Sequence, residues 1–556
     1  MSDLFLITSD VNVVYKKVFI FVHDLILRIM KKHGFKWVTL VFLLFVGMAC
    51  VQEKPSDRSL MIVFNEDNDH YFKLDSTLMT QEALEGYIDR LATTKVTHFF
   101  MCPNGQRTSY DSQVDEPIWA GVNDDPVAHS WCINAGILYR KGIDPYAVWT
   151  KQCRKRGISP WITVRMNDGH GLSSTRKNYR NTQYWHEHPE LRRVSETVCD
   201  NGWKTAQLMV YDYSKLVAYQ HHLDLVRELL TRYDVDGVEL DWMRNPYLLT
   251  PGKEQEQSGI LTQFMRDVRA MVDSCQKERG HTLGISVRVP TTLEITDAWG
   301  FKVGQWAEEG LIDMLVPTAF YNSIDTKMPI EAWRELLSKA SKPVALLPGT
   351  DYHMAAYEGA PRIEIPAAVY YGWAADLIER GVDGLYFFNM AYSNPLNPQS
   401  PLYTMLCSGF TPEQMKSVRR RHPVTYPDWR TPDDRFTCQL PCTTDQVNKF
   451  TIYTGERYAD KGYVSLLIGL QKSEDVGQVM LPVTLNGIPA ARQFTYAGNI
   501  EYFSSRAARF IQYIFPMDVL RQGKNEVEVG TWPTPQQIEW VELQVNPADA
   551  AEYYEI

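Results

Sequence analysis

At 556 residues, 44% of them apolar, the chain is long enough for two or three domains and a large buried core. Its formal charge of -10, its pI near 5.8 and the lack of any basic stripe exclude an ordinary nucleic-acid binder. The 15 Trp and 30 Tyr offer many ring faces, which can stack on sugars or fill a core.

The chain opens on an address. Met30–Lys36 is a basic stretch, Trp37–Val46 an apolar one, and Gly47–Cys50 (GMAC) resembles a bacterial lipobox with small Ala49 before the cysteine. Gly47 stands where such signals usually carry Leu, Val or Ile. Asp3, Asp10 and Asp24 interrupt the upstream segment, so Met30 is the expected true start. The expectation is an exported protein of the bacterial cell envelope, lipidated at Cys50 and attached to a membrane through that lipid. An uncleaved anchor is the alternative, although ten to twelve apolar residues are short for a span. Residues 51–59 then form a polar tether.

From residue 60 to about 410, strand-like and helix-like segments alternate. Expected strands are 60–64, 96–102, 159–166, 235–242, 282–289, 312–320, 343–347 and 383–390. Helical spacing falls between them, at 80–92, 144–156, 215–233, 260–278, 304–309, 330–340 and 366–380. Eight strand–helix units in about 350 residues predict a (β/α)8 barrel of α/β class. Residues 411–434 read as a linker, with a short helix and the charge run Arg419–Arg421 on a solvated or domain-packing face. From 435 to 556, alternating runs such as 449–453, 463–468, 478–485, 525–529 and 538–545 have turns but no helices between them. They predict a β-sandwich of jelly-roll type. Cys438 and Cys442 are spaced so that they could pair, and no cysteine or histidine cluster has metal-ligand spacing.

The fourth expected strand lies in Asp234–Arg244, which reads DVDGVELDWMR. Alternation puts Glu239 and Asp241 on one face, about 7 Å apart, with Val238, Leu240 and Trp242 on the other. Acids at the tip of a barrel strand sit where such folds carry chemistry, and a carboxylate pair can share acid, base or nucleophile work on a glycosidic bond. The bland reading is a buried acid pair that binds backbone or arginine groups. By the same alternation Arg165 and Asn167 point together, as do Ser286 and Arg288; the acids on strand four are the partners expected for the arginines. Tyr321, Asn322 and Asn389 fall at strand ends where sugar hydroxyls would be met. Asp69, Asn104, Asp168 and Asp351 occupy loops of the same rim, where turn and cap roles are common.

Tyr211–Tyr213 (YDY), a long helix and then Arg232–Arg244 resemble the bacterial glycoside-hydrolase-like barrel proteins labelled family 10-like. Arg288–Pro290, Gly310–Asp313 and Gly381–Tyr386 fit the same resemblance, which spans residues 60 to about 405. It implies hydrolysis of O-glycosidic bonds in a polysaccharide or glycan, with the acids on strand four. Chitinase-like barrels of family 18 differ: they carry D-G-x-D-x-D-x-E there, and this chain has Met243 where that glutamate would stand.

The leading expectation is an exported glycoside hydrolase. Asp241 is its nucleophile or charge stabiliser, and Glu239 shares the acid role or orients Asp241 and Arg165. Asp351 is the first choice for the second acid, with Asp168 behind it. Arg165 and Arg288 hold carboxylates or an acidic sugar, while Trp119, Trp242 and Tyr321 supply stacking. No metal or organic cofactor is implied. Two alternatives stay open: a glycan-binding surface lipoprotein without catalysis, and a structural or assembly protein of the cell surface.

Overall fold

A computed structural model describes residues 60–550, apart from 124–128, 174–176, 196–206, 320–322, 428, 436–437, 472–479, 498–505 and 549. The expected signal segment with Cys50, together with Cys199, Tyr321 and Asn322, lies outside the described residues. No described helix is long and apolar enough to cross a membrane.

The first half is a closed parallel barrel. Strands β1 (Met61–Glu66), β2 (His98–Met101), β3 (Ser159–Arg165), β4 (Gly237–Asp241), β5 (Gly284–Pro290) and β6 (Met314–Thr318) pair in chain order. The seventh position is split by Pro348 into β7 (Ala345–Leu346) and β8 (Gly349–Thr350), because proline supplies no ladder N–H. A small hairpin, β9 (His353–Met354) with β10 (Ile363–Glu364), follows, and β11 (Gly384–Phe387) closes the ring against β1. This is the (β/α)8 barrel expected from the alternation of elements.

Helices form where apolar spacing meets a cap. Thr80 accepts from the Ala83 N–H at the start of Gln81–Leu91, and Asp144 caps Pro145–Arg156, which ends on left-handed Gly157. The long helices Leu216–Arg232 and Ser258–Arg279 bury one stripe each against the strands. Helix Ser130–Arg140 was not expected from the sequence; its buried face mixes Trp131, Asn134 and Gly136, which blurs the period.

Parallel register stacks the lumen in layers. Trp161, Gly237 and Gly284 are level, then Thr163, Glu239 and Ser286, then Arg165, Asp241 and Arg288. The lowest layer is an aromatic floor: Trp161 stacks on Phe100 with ring centroids 5.0 Å apart, and Tyr386 meets Phe100 edge-on. Glycines on both flanking strands make room for the indole. A Cβ at Gly237 would lie 2.3 Å from the Trp161 ring, and one at Gly284 2.5 Å from it.

The second half is two antiparallel sheets. One orders β12 (Arg420–Pro423), β21 (Gln537–Pro547), β15 (Gly462–Gln471), β19 (Ala507–Pro516) and β18 (Arg492–Ala497), with β13 (Cys442–Thr443) also on β21. The other orders β14 (Asn448–Tyr453), β20 (Lys524–Val529), β16 (Val483–Leu485) and β17 (Ile488–Pro489). Buried Val464, Leu466 and Ile468 join Phe450, Ile452, Val527 and Val529 in one core, as in a sandwich. Strand β12 falls inside the segment read as linker. Its Arg420 and Arg421 are buried, and Arg421 makes a two-point pair with Glu542 at 2.6 and 2.8 Å. Gly372 of helix Ala367–Glu379 lets that strand pass, since a Cβ there would sit 2.2 Å from the Arg421 carbonyl oxygen. Cys438 and Cys442 are free thiols in this structure.

Gly237→Ala should destabilise the chain by roughly 1–3 kcal/mol through overpacking on the indole. Denaturant melts of Gly237→Ala alone and with Trp161→Leu check this; a penalty unchanged by the smaller neighbour would contradict it.

Candidate active site

Two carboxylates rise from β4 into different surroundings. Glu239 is caged: Thr163 and Tyr386 hydroxyls donate to Oε1 at 2.6 Å each, and Ser286 donates to Oε2 at 2.9 Å. Tyr386 in turn receives the Asn65 side-chain amide at 3.0 Å. Burial, with the Asp241 charge next to it, pushes the Glu239 carboxyl up to about 7. Asp241, one layer higher, accepts from Arg288 Nη1 at 2.9 Å on both oxygens and from the Met243 N–H at 3.1 Å. The Arg288 guanidinium lies 3.7 Å from the centre of the Phe388 ring.

Above them the C-terminal mouth of the barrel opens a cavity of about 190 Å³. Its wall includes Asp67 and Asp69 after β1, Asp168 and His170 after β3, Arg244 after β4, and Tyr352, Asn389 and Tyr392 from the last two strand ends. Arg165 organises this wall. Its Nη1 donates to Asp168 at 2.7 Å and its Nη2 to Asp67. Burial opposes ionisation of Asp67, but Arg165 and then Arg244 outweigh it and hold the carboxyl below its ordinary range. Burial likewise opposes ionisation of Asp168, and His170 with Arg165 keeps that carboxyl well below it. His170 places Nδ1 2.7 Å from Asp168 and Nε2 3.2 Å from Arg244 Nη2. A guanidinium only donates, so Nε2 is the acceptor and Nδ1 carries the proton. Burial lowers the His170 pKa, which suits this neutral form.

Asp351 is the contrasting group. It is buried at the end of β8, where the Tyr352 and His353 N–H groups donate to Oδ1 and the Asn389 amide reaches Oδ2 at 3.4 Å. Burial pushes it up to about 7 in spite of those donors and of Arg244 and Arg288.

The residues expected at the site separate into groups. Asp69, Arg165, Asp168 and Asn389 line the cavity, whereas Asp241, Glu239 and Arg288 lie beneath it and Asp351 sits beside its Asn389 and Tyr352 wall. Arg165 differs from expectation in its partners: it binds Asp67 and Asp168 rather than the strand-four acids. Asn104 and Asn167 are braces. Asn104 bonds the Arg165 N–H and carbonyl, while Asn167 bonds the Tyr211 N–H and the Tyr211 and Tyr247 carbonyls. Trp242 points out of the barrel into a core of Phe264, Phe301 and Trp306, so it has no face to offer a ligand. Trp119 stacks on Tyr139 away from the cavity wall. Sequence reasoning missed Asp67, His170, Arg180 and Arg244 as wall residues. Period-two continuation of β1 through Asn65, Asp67 and Asp69 was a signal for the first. Among the described residues no cluster of His, Cys, Asp or Glu could hold a metal ion.

No protein-family model matches this chain, and no curated protein matches it. Among solved structures, a cycloisomaltooligosaccharide glucanotransferase from a Paenibacillus species, complexed with cycloisomaltoheptaose, aligns at TM-score 0.31 and 8% identity. The alignment covers 84% of this chain and 55% of that one, so the chain spans about half its length. The PgaB (BpsB) glycoside hydrolase domain from Bordetella bronchiseptica aligns at TM-score 0.38 and 10% identity, over 62% of this chain and 98% of that one. A family GH18 chitinase from Chromobacterium violaceum aligns at 0.35 and 11%, over 88% and 89%. The reading of the site rests on its own residues.

The Glu239 cage has a measurable consequence. Between the ordinary carboxyl value of about 4.3 and the raised value of about 7, the folded chain keeps a proton that the unfolded chain releases. Stability therefore falls as pH rises through that window, and the loss is complete above it. Gln at 239 cannot ionise and can still accept from Thr163 and Tyr386 while donating to Ser286. The denaturant midpoint of Glu239→Gln should thus gain on wild type between pH 5 and pH 8. A constant offset over that range would refute the cage.

Proposed function

We propose that the chain is a glycoside hydrolase acting at the cavity in the barrel mouth. One observation carries the reading: carboxyl groups at two strand ends flanking β11 have opposite protonation habits. Asp351 is pushed up to about 7 by burial, whereas Asp67 is held below its ordinary range by Arg165 against the pull of burial. Cleaving a glycosidic bond calls for such a division, one group giving a proton to the leaving oxygen and another meeting the positive charge that develops on the sugar.

In this reading Asp351 is the general acid. Asp67 is the ionised partner, because its Oδ2 is the least engaged carboxylate oxygen of the wall, with only the Tyr392 hydroxyl at 3.5 Å. Asp241, the first candidate on strand four, positions Arg288 beneath the site. Asn389 and Tyr352 connect Asp351 to the cavity, and Arg165 sets the charge of Asp67. The chain is further proposed to work outside the cytoplasm, tethered by a lipid on Cys50.

A second reading is glycan capture without turnover. It is favoured by the way internal donors enclose Glu239 and Asp241. It expects glycan binding with no release of sugars.

Screening the protein against a glycan panel for released sugars separates the two. On a substrate so found, Asp351→Asn should lower kcat by about 10²- to 10⁴-fold. In wild type, kcat should fall as pH rises through about 7, when the acid loses its proton, and that limb should vanish in Asp351→Asn. Asp67→Asn should be as damaging, with Asp241→Asn milder; a loss in Asp241→Asn as deep as in Asp351→Asn would move the anionic role to strand four. For the tether, palmitate labelling in cells should be lost in Cys50→Ala, and labelling that persists would rule the lipid site out.

A further inference from the structure

The cavity wall carries more positive than negative charge. Four cationic side chains, Lys73, Arg165, Arg180 and Arg244, face three carboxylates, Asp67, Asp69 and Asp168. Those carboxylates are already engaged. Lys73 pairs with Asp69 at 2.5 Å, and Arg165 takes both Asp67 and Asp168. Arg180 uses its Nε on the Tyr179 hydroxyl at 2.8 Å, a neutral partner.

Arg244 is the unbalanced group. It is only 4% exposed, its Nη2 is spent on neutral His170, and its Nε and Nη1 have no hydrogen-bond partner. Among the described residues no carboxylate pairs with it. A guanidinium cannot shed its proton, so burial leaves a full charge with no carboxylate in contact: Asp67 and Asp168 feel it only through space, and both are paired with Arg165. The same cavity wall holds polar atoms of another kind: Asn68 Nδ2, both ends of the Gln106 amide and Asn389 Oδ1 are buried without partners. Neutral donors and acceptors of this sort match sugar hydroxyls. A neutral sugar would satisfy them and leave Arg244 as it is.

We infer that the cavity takes an acidic glycan, with an anionic substituent of the sugar ring, a carboxylate or a sulfate ester, seated on Arg244 and with Arg180 beside it. The inference rests on the cavity being a saccharide site and adds the class of saccharide. The anion completes the charge of the wall, while the amides of Asn68, Gln106 and Asn389 hold the ring hydroxyls. Arg244 then acts in selection and orientation, apart from the proton transfer assigned to Asp351.

The test measures binding, so it does not depend on turnover. Full-length Asp351→Asn protein is applied to an array of acidic and neutral glycans, and each bound glycan is retested after carboxyl reduction or desulfation. The expected result is capture of acidic glycans, lost on removing the anionic group; the treatment that abolishes binding identifies carboxylate or sulfate. Arg244→Met should then weaken the acidic ligand by roughly 30-fold or more, as for truncation of a buried charged partner. Capture of neutral glycans alone, or binding indifferent to the treatment, overturns the inference and leaves the hydrolase reading standing. Capture of no glycan overturns both. Because the array result is read with Arg244 intact, it stands even if Arg244→Met fails to fold.

Discussion

The Arg165 guanidinium is the interaction on which the barrel mouth depends. It arises from the last residue of β3 and reaches one way to Asp67, beyond β1, and the other way to Asp168 in its own following loop. Its backbone is gripped by Asn104, which follows β2. Three consecutive strand ends are thereby tied through one residue, its backbone and a side chain that is 5% exposed. Neutralising it would strand two buried carboxylates, a larger penalty than the triad gains over an apolar replacement. Such a triad therefore does more to set the geometry and protonation of the wall than to raise net stability.

Below that triad the lumen changes character in steps. The aromatic floor of Phe100, Trp161 and Tyr386 excludes water and lowers the local dielectric response. The next layer holds a carboxyl, Glu239, that such a medium tolerates only because three hydroxyl groups point at it. The layer above holds a carboxylate matched to a guanidinium, Asp241 with Arg288. Polarity thus increases from floor to mouth, and in the upper layer Arg288 meets Asp241 through Nη1 alone, its Nε and Nη2 being buried without partners.

How much of this was legible follows from which contacts the strand period governs. Parallel strands in register put residues two apart on one face, so the level set of Arg165, Asp241 and Arg288 could be read from three separate strands. The pairing of Arg288 with Asp241 came with it, since β4 and β5 are neighbours. The pairing of Arg165 did not, because β1 and β3 are separated by β2 and the choice of Asp67 depends on barrel curvature. His170 and Arg180 belong to a loop with no period at all, and the same holds for the Arg244 turn. Trp242 shows the converse: alternation had placed it on the outer face, and a ring there packs against helices. In the linker, composition left Arg420 and Arg421 open between a solvated and a domain-packing face, and only the pairing of β12 with β21 brings Glu542 to Arg421.

Glu239 and Asp351 show why a raised carboxyl is not by itself a functional sign. Burial pushes both up to about 7. Glu239 has both oxygens met by hydroxyls of the lumen wall, and when it holds its proton one of them turns to accept it. Asp351 is met instead by the Tyr352 N–H of its own turn at 2.6 Å and, at 3.4 Å each, by the His353 N–H and by Asn389. Asn389 and Tyr352 are themselves part of the cavity wall, and the Asn389 Oδ1 is unpartnered. A proton on Asp351 therefore sits one side chain from the space a ligand would fill, whereas a proton on Glu239 stabilises the barrel interior. The neighbours, rather than the shift, divide a structural acid from a candidate catalytic one.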